Sequence, residues 1–179
     1  MLVEKVVNAA AYIKFDGIDG ESKDSRHEDW IDVLSVDWGA AVTNTNKPRR
    51  RGTVAVRDFT VAVLYDKASP ALQDACLKGR VIPKLELEET TTGNEANTVY
   101  LKYELTNVQI TSFSIGSGID TSTSVRAGDV FVPGLSLGGK PVMVVTNNFE
   151  EIKVTYTQLD EDHSAMSEHE YEYNVRKGV

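Results

Sequence analysis

Apolar residues recur at every second position over much of the chain, the period of a strand whose two faces meet different surroundings. Trp30, Leu34, Val36 and Trp38 are predicted to point one way, with Ser35 and Asp37 on the other face. Phe59, Val61, Val63 and Tyr65 alternate with Thr60, Ala62 and Leu64, a composition expected of a strand covered on both faces. A longer strand is predicted at Val99, Leu101, Tyr103 and Leu105, opposed by Tyr100, Lys102, Glu104 and Thr106. Past Asn107 the apolar set changes parity to Val108 and Ile110, as a bulge or a corner between two sheets would produce. Further strands are expected at 11–15, 84–89, 142–156 and 170–175. In the 142–156 strand, Ile152, Val154 and Tyr156 share one face and Glu151, Lys153 and Thr155 the other. Asp16-Gly17, Asp19-Gly20 and Gly138-Gly139 mark turns.

One segment carries helix signals instead. Ser69 is placed as its cap, Pro70 in the first turn where a missing N–H costs nothing, and Gly79 as its terminator, with Asp74 early and Lys78 late. Leu72, Ala75 and Cys76 then form the apolar face that packs on the core. The polar stretches 90–97 and 116–129 are expected to be loops, and 160–170 a solvated acidic connector or tail. The pattern predicts a mainly β fold, a small sandwich or closed barrel of antiparallel strands with one flanking helix.

Composition narrows the function. A chain of 179 residues with 41% hydrophobic and 26% charged side chains fits one soluble, folded domain, able to bury about 70% of its extended surface. No apolar run approaches the ~18 to 20 residues of a membrane span, so no membrane partner is expected. Charges interrupt the N-terminal Met1-Leu2-Val3-Glu4-Lys5-Val6-Val7-Asn8 segment, which does not have the layout of a secretory signal. The single Cys76 has no internal disulfide partner and suits a reducing compartment during folding. A net charge of −8 opposes broad attraction to phosphates, so nucleic acid is not an expected partner.

Candidate chemistry is sparse. His163 and His169 lie among Asp160, Glu161, Asp162, Glu168 and Glu170, but their spacing is not that of a helical metal-binding pair. The acidic run Asp16, Asp19, Glu21, Asp24 lacks the alternate oxygen ligands of a calcium loop, since Ile18 and Gly20 hold its third and fifth positions. Gly116-Ser117-Gly118 lacks the third glycine of a phosphate loop and opens no helix. Nothing local sets His27 beside a serine or Cys76 as base and nucleophile. Neither catalysis nor a metal or other cofactor is expected.

Lys47-Pro48-Arg49-Arg50-Arg51 is the most unusual local feature, four cations within five residues of an acidic protein. Asn44, Asn46 and Pro48 place it in a loop between strands. Two uses beyond plain solvation are open to it, holding phosphate or facing an acidic patch on a neighbouring subunit.

The order of elements resembles the haemolysin-coregulated protein (Hcp) family, the tube proteins of type VI secretion. The likeness runs through Tyr12 to Ser22 (YIKFDGIDGES), His27 to Gly39 (HEDWIDVLSVDWG), Asp66 to Leu72 with its helix, Ile82-Pro83, Tyr100 to Ser112 (YLKYELTNVQITS), and Pro141 to Tyr156 with Phe149, Ile152 and Tyr156 in the closing strand. It implies an Hcp-like barrel over 11–159, an N-terminal extension at 1–10 and a C-terminal tail at 160–179. The resemblance further implies a structural, non-enzymatic subunit whose homo-hexameric rings stack into a hollow tube. Contractile sheath proteins, a spike protein and effector proteins held in the lumen are the implied partners. Synthesis in the bacterial cytoplasm would be followed by export through type VI secretion, without a signal peptide. Outward polar positions such as Glu86, Glu88, Lys102 and Glu104 would keep a lumen or outer wall wet. Six copies at −8 each repel one another, so stacking must rest on local complementarity, and Lys47, Arg49, Arg50 and Arg51 are the leading candidates. The 119–140 connection, with its apolar Val130, Phe131 and Val132, is longer than the family pattern. Three roles are open to it: lining the lumen, extending the contact between rings, or capping a ring face. Two alternatives remain at this stage, an Hcp-like effector adaptor that forms rings without polymerising and a monomeric β-barrel that binds a ligand.

Overall fold

The computed structural model describes residues 9–43, 52–92, 97–116, 124–127, 130–133 and 140–179. Its strands are β1 (Ala9–Phe15), β2 (Ile31–Asp37), β3 (Ala40–Thr43), β4 (Thr53–Val56), β5 (Phe59–Leu64), β6 (Val81–Thr92), β7 (Asn97–Gly116), β8 (Ser124–Ala127), β9 (Val130–Pro133), β10 (Val142–Asn148), β11 (Glu151–Leu159) and β12 (Ala165–Asn174). The helix α1 covers Ser69–Leu77. The main sheet runs β10-β5-β2-β1-β6-β7-β11-β12, and a further β10–β7 pairing closes its first six strands into an antiparallel barrel. Two small hairpins, β3–β4 and β8–β9, stand apart from this sheet.

The barrel encloses one continuous core of Ile13, Phe15, Ile31, Phe59, Leu85, Leu105, Met143 and Ile152, among others, each fully or almost fully buried. β5 is buried on both faces except at Leu64, as its largely apolar composition predicts, with Thr60 buried as well. α1 contributes Leu72 and Ala75 to the core, and Cys76 packs against it half-buried. The helix start differs from expectation. Ala68 occupies the cap position, and the Ser69 hydroxyl accepts the Asp66 amide at 3.0 Å. The Asp66 carboxylate takes the Ala68 amide at 2.8 Å. Pro70 sits in the first turn as predicted. At the other end Gly79 adopts φ 61°. The Gly79 and Arg80 amides there donate to the Cys76 and Ala75 carbonyls, the reversed turn that ends many helices at glycine.

Two further departures lie where the strands are irregular. A register shift between Val33 and Ser35 turns Leu34 outward, 41% exposed, while Ile31 and Val33 before it and Val36 and Trp38 after it contact the core. Leu34 therefore does not share the face of Val36 and Trp38, because one extra residue reverses parity. The parity change after Leu105 falls at Asn107, φ 52°, within one continuous strand, and β6 keeps its register on either side, Lys84 with Thr106 and Ile82 with Val108, so no residue is inserted there and no second sheet begins. Opposite it the strand expected over 142–156 breaks at Phe149 and Glu150, so that β10 pairs with the second half of β7 and β11 with the first. Residues 165–170 are strand rather than solvated connector, since β12 pairs with β11 along nearly its whole length.

Candidate assembly surface

Residues 16–30 form a long connection held onto the barrel by buried side chains, Ile18, Ser22 and His27, and by a backbone hydrogen bond from Asp16 to Lys84. The Gly17 turn, φ 76°, reverses the chain after β1. Gly20 then passes so close to the Trp30 carbonyl that a methyl group there would collide with it. His27 lies 1% exposed between two carboxylates, with Nδ1 2.8 Å from Asp24 and Nε2 2.8 Å from Glu88 of β6. Its ring stacks on Tyr12 at 4.3 Å and meets the edge of Trp30 at 5.0 Å. Both ring nitrogens face carboxylates, and the imidazole works as a clasp.

Glu88 also begins a lattice of charge on the outward face of β6 and β7. Lys102 reaches Glu86 at 3.1 Å, Glu88 at 3.4 Å and Glu104 at 3.8 Å, and Lys84 reaches Glu104 at 2.9 Å and Glu86 at 3.0 Å. Burial opposes the Lys102 ammonium, but the three carboxylates outweigh it and hold its pKa above the usual lysine value. Burial likewise pushes the Glu86 carboxyl up, and its two lysines reverse the sign and set it below the usual range. The lattice continues across β11 and β12, where Lys153 contacts Glu170 at 2.8 Å and Glu172 at 3.7 Å.

The other face of the same strands is apolar and aromatic. Register places Leu105, Ile152 and Tyr173 in one row, Tyr103, Val154 and Tyr171 in the next, and Leu101, Tyr156 and His169 in the third. The first row is rooted in the core, with Leu105 and Ile152 fully buried. Toward the third row the cover runs out, leaving Tyr156 47% and Tyr171 50% exposed. β12 is exposed over its first eight residues, and among the described residues no strand pairs with its outer edge. The sequence signal for this surface is the alternation Glu168-His169-Glu170-Tyr171-Glu172-Tyr173, whose acidic content reads equally well as a hydrated tail.

A polar crevice of about 690 Å³ opens beside the clasp. Two ion pairs cross it, Glu21 to Lys140 at 3.0 Å and Lys67 to Asp29 at 3.1 Å, and tie its loops together. Among the described residues no group of three or more His, Cys, Asp or Glu side chains converges to hold a metal. Of the positions singled out in the sequence, Leu72, Ala75 and Cys76 lie in or against the core. Val130, Phe131 and Val132 form most of β9, paired with β8. Lys47, Arg49, Arg50 and Arg51 fall outside the described residues.

Comparison with known proteins places this architecture. The family described as "Type VI secretion system effector, Hcp" matches residues 12–156. Protein hcp1 of Pseudomonas aeruginosa is 28% identical over 176 residues, 94% of this chain and 96% of that protein. A solved type six secretion system protein superposes with a TM-score of 0.79 at 24% identity, covering 96% of this chain and 99% of its own. A type VI secretion system effector from Yersinia pestis does so with a TM-score of 0.65 at 27% identity, covering 92% and 99%.

Proposed function

The chain belongs to the Hcp family, the tube proteins of type VI secretion, and on that premise we propose that it is a structural subunit that closes into homo-hexameric rings. The observation that carries this reading is the pairing of a barrel already complete within one chain with a two-stranded extension that is not. An open ten-residue edge is a standing invitation to association, and a ring of identical subunits uses every such edge. The rings stack into a conduit that carries effector proteins in its bore, driven by a contractile sheath and led by a spike. No catalytic step is required of it, and no helix among the described residues is long and apolar enough to cross a membrane.

Stacking on this reading depends on Lys47, Arg49, Arg50 and Arg51, the one concentration of positive charge on a subunit of net −8. Light scattering behind size exclusion tests the ring, with an expected mass six times the 19.7 kDa subunit and annular particles in negative stain. A monomer at every concentration refutes it. Arg50→Glu tests the stack: rings should persist while tubes shorten or vanish, and unchanged tubes would clear the loop of the role. The alternative of an adaptor that forms rings without polymerising draws on β8 and β9, which among the described residues pair only with each other. It predicts that deleting 119–140 restores stacking and abolishes binding of one cargo.

A further inference from the structure

Two carboxylates meet one buried imidazole where the 16–30 connection closes on the barrel. Nδ1 of His27 lies 2.8 Å from Asp24 and Nε2 lies 2.8 Å from Glu88. A neutral imidazole has one N–H and one lone pair, whereas a carboxylate has lone pairs only. With a neutral ring, one of the two contacts would therefore set lone pair against lone pair. Water has no room to relieve it, because the ring is 1% exposed, stacked on Tyr12 and met by the edge of Trp30. Both contacts become hydrogen bonds when the three groups hold two protons between them rather than one. The count is the same whether the second proton sits on the ring or on one carboxyl group.

We infer that Asp24, His27 and Glu88 form a proton-dependent latch: two shared protons clamp the connection onto β6, and loss of one as the pH rises releases it. Ile18 and the Asp16 amide fix the start of the connection independently, so the latch governs residues 22–30. The groups around it leave the switching to these three. Tyr12 of β1 stays neutral, its phenol held above the ordinary value by burial and then by Asp24 and Asp32. Asp32 of β2, opposite Tyr12, and Arg26 of the connection are both exposed. Lys102 of β7 takes the other oxygen of Glu88 at 3.4 Å and so favours its charged form. The clamped state binds the second proton and the hydrated, released state gives it up, so the clamp is present at low pH and is lost as pH rises. Deprotonation would leave a buried lone pair against a carboxylate, and opening is the only relief. Release reaches further through Glu21, at the near end of the segment. Its carboxylate accepts the Lys67 amide ahead of α1 at 3.0 Å and pairs with Lys140 ahead of β10 at 3.0 Å.

Hydrogen exchange read by mass spectrometry tests this on the full chain from about pH 5 to about pH 9, past the span in which an ordinary histidine changes charge. Rates are divided by the intrinsic rate at each pH, and light scattering follows the assembly mass in the same samples. Amides of 22–30 should exchange about tenfold faster or more at the alkaline end, the loss of one hydrogen bond to a charged group. Strands β5, β7 and β10 should keep their protection. Glu88→Gln puts an amide N–H where the second proton was, able to donate to Nε2 of a neutral ring, and its carbonyl can still accept from Lys102. In that variant 22–30 should stay protected at every pH. His27→Ala, with no latch, should exchange fast throughout, and the native rate should converge on it as the pH rises. A native rate that stays flat, a constant gap between native and His27→Ala, the native rise repeated in Glu88→Gln, or a rise seen only where the assembly mass falls would each overturn the latch.

Discussion

Replacing His27 with alanine tests how the long 16–30 connection is fixed. The substitution removes two ring contacts to carboxylates, both at 2.8 Å, and a stacking partner of Tyr12 at 4.3 Å. A hydrogen bond to a charged group contributes about 1.5 to 3 kcal/mol, and an aromatic pair about 0.5 to 1.5 kcal/mol. Asp24 and Glu88 keep 13% and 17% of their side-chain surface in water, so rehydration recovers part of the polar loss. Taking about half the polar sum and the lower end of the stacking gain gives a destabilisation of about 3 kcal/mol. For a chain of this size that lowers the melting temperature by about 6 to 12 °C. Calorimetry or urea titration must be run at one protein concentration, because assembly adds its own stabilisation. His27→Phe separates packing from hydrogen bonding. It keeps a ring against Tyr12 but turns an apolar edge toward two carboxylates, and should cost at least as much as alanine. A loss below about 1 kcal/mol for His27→Ala would show that the connection is held by its backbone turns, and that the clasp contributes little.

Two further outcomes follow from the same neighbourhood. Gly20→Ala drives a methyl group into the Trp30 carbonyl and the Ile31 side chain, and overpacking of this kind should cost about 3 kcal/mol in denaturant titration. A wild-type midpoint would mean that the connection shifts freely. Burial, followed by its 2.8 Å hydrogen bond to Glu89, pushes the Tyr100 hydroxyl from 10.0 up to about 12. The folded state therefore favours the neutral phenol. The stability this contributes is present below the ordinary tyrosine pKa and is lost as pH rises through about 12. Tyr12, Tyr103 and Tyr171 are shifted in the same direction by burial. Tyrosinate absorbance should lag behind that of the free amino acid and rise together with loss of the β signal. Titration of all seven tyrosines near the ordinary value, with the β signal intact, would refute the assignment.

What could be read in the sequence was whatever depends on local pattern. β5 carries one polar residue, Thr60, among apolar ones and is buried on both faces up to Leu64, and Gly79 ends α1 because a positive φ is needed there. Leu34 shows where local pattern fails: its apolar character fits the parity of Val36 and Trp38, and only the bulge demanded by closure turns it out of the core. β12 shows the converse. Its glutamates resemble those of a hydrated tail, and its tyrosines mark a strand only once β11 is known to lie beside it. Likewise nothing adjacent to His27 announces Glu88, which stands 61 residues away and arrives through the pairing of β1 with β6.

The division of labour between barrel and extension bears on how firmly the proposed ring would hold. A loose hairpin would lose about 1 to 2 kcal/mol of backbone entropy for each residue ordered on docking, enough to cancel the gain from two buried tyrosines. Here that cost is met within the subunit. Ile152 is fully buried beside Leu105, Val154 is 9% exposed, and Lys153 is pinned to two glutamates of β12 on the opposite face. The hairpin is therefore anchored at its root by the same core that fills the barrel, and it offers its open corner in a fixed direction. Variants should divide accordingly. Substitution in the first row, such as Ile152→Ala, should cost about 2 to 5 kcal/mol of folding stability and weaken assembly only as a consequence. Substitution at Tyr156 or Tyr171 should spare the fold and weaken assembly directly. If Ile152→Ala abolished rings while leaving the melting temperature of the subunit unchanged, the extension would be a mobile arm rather than a fixed one, and the ring geometry would have to be imposed from elsewhere.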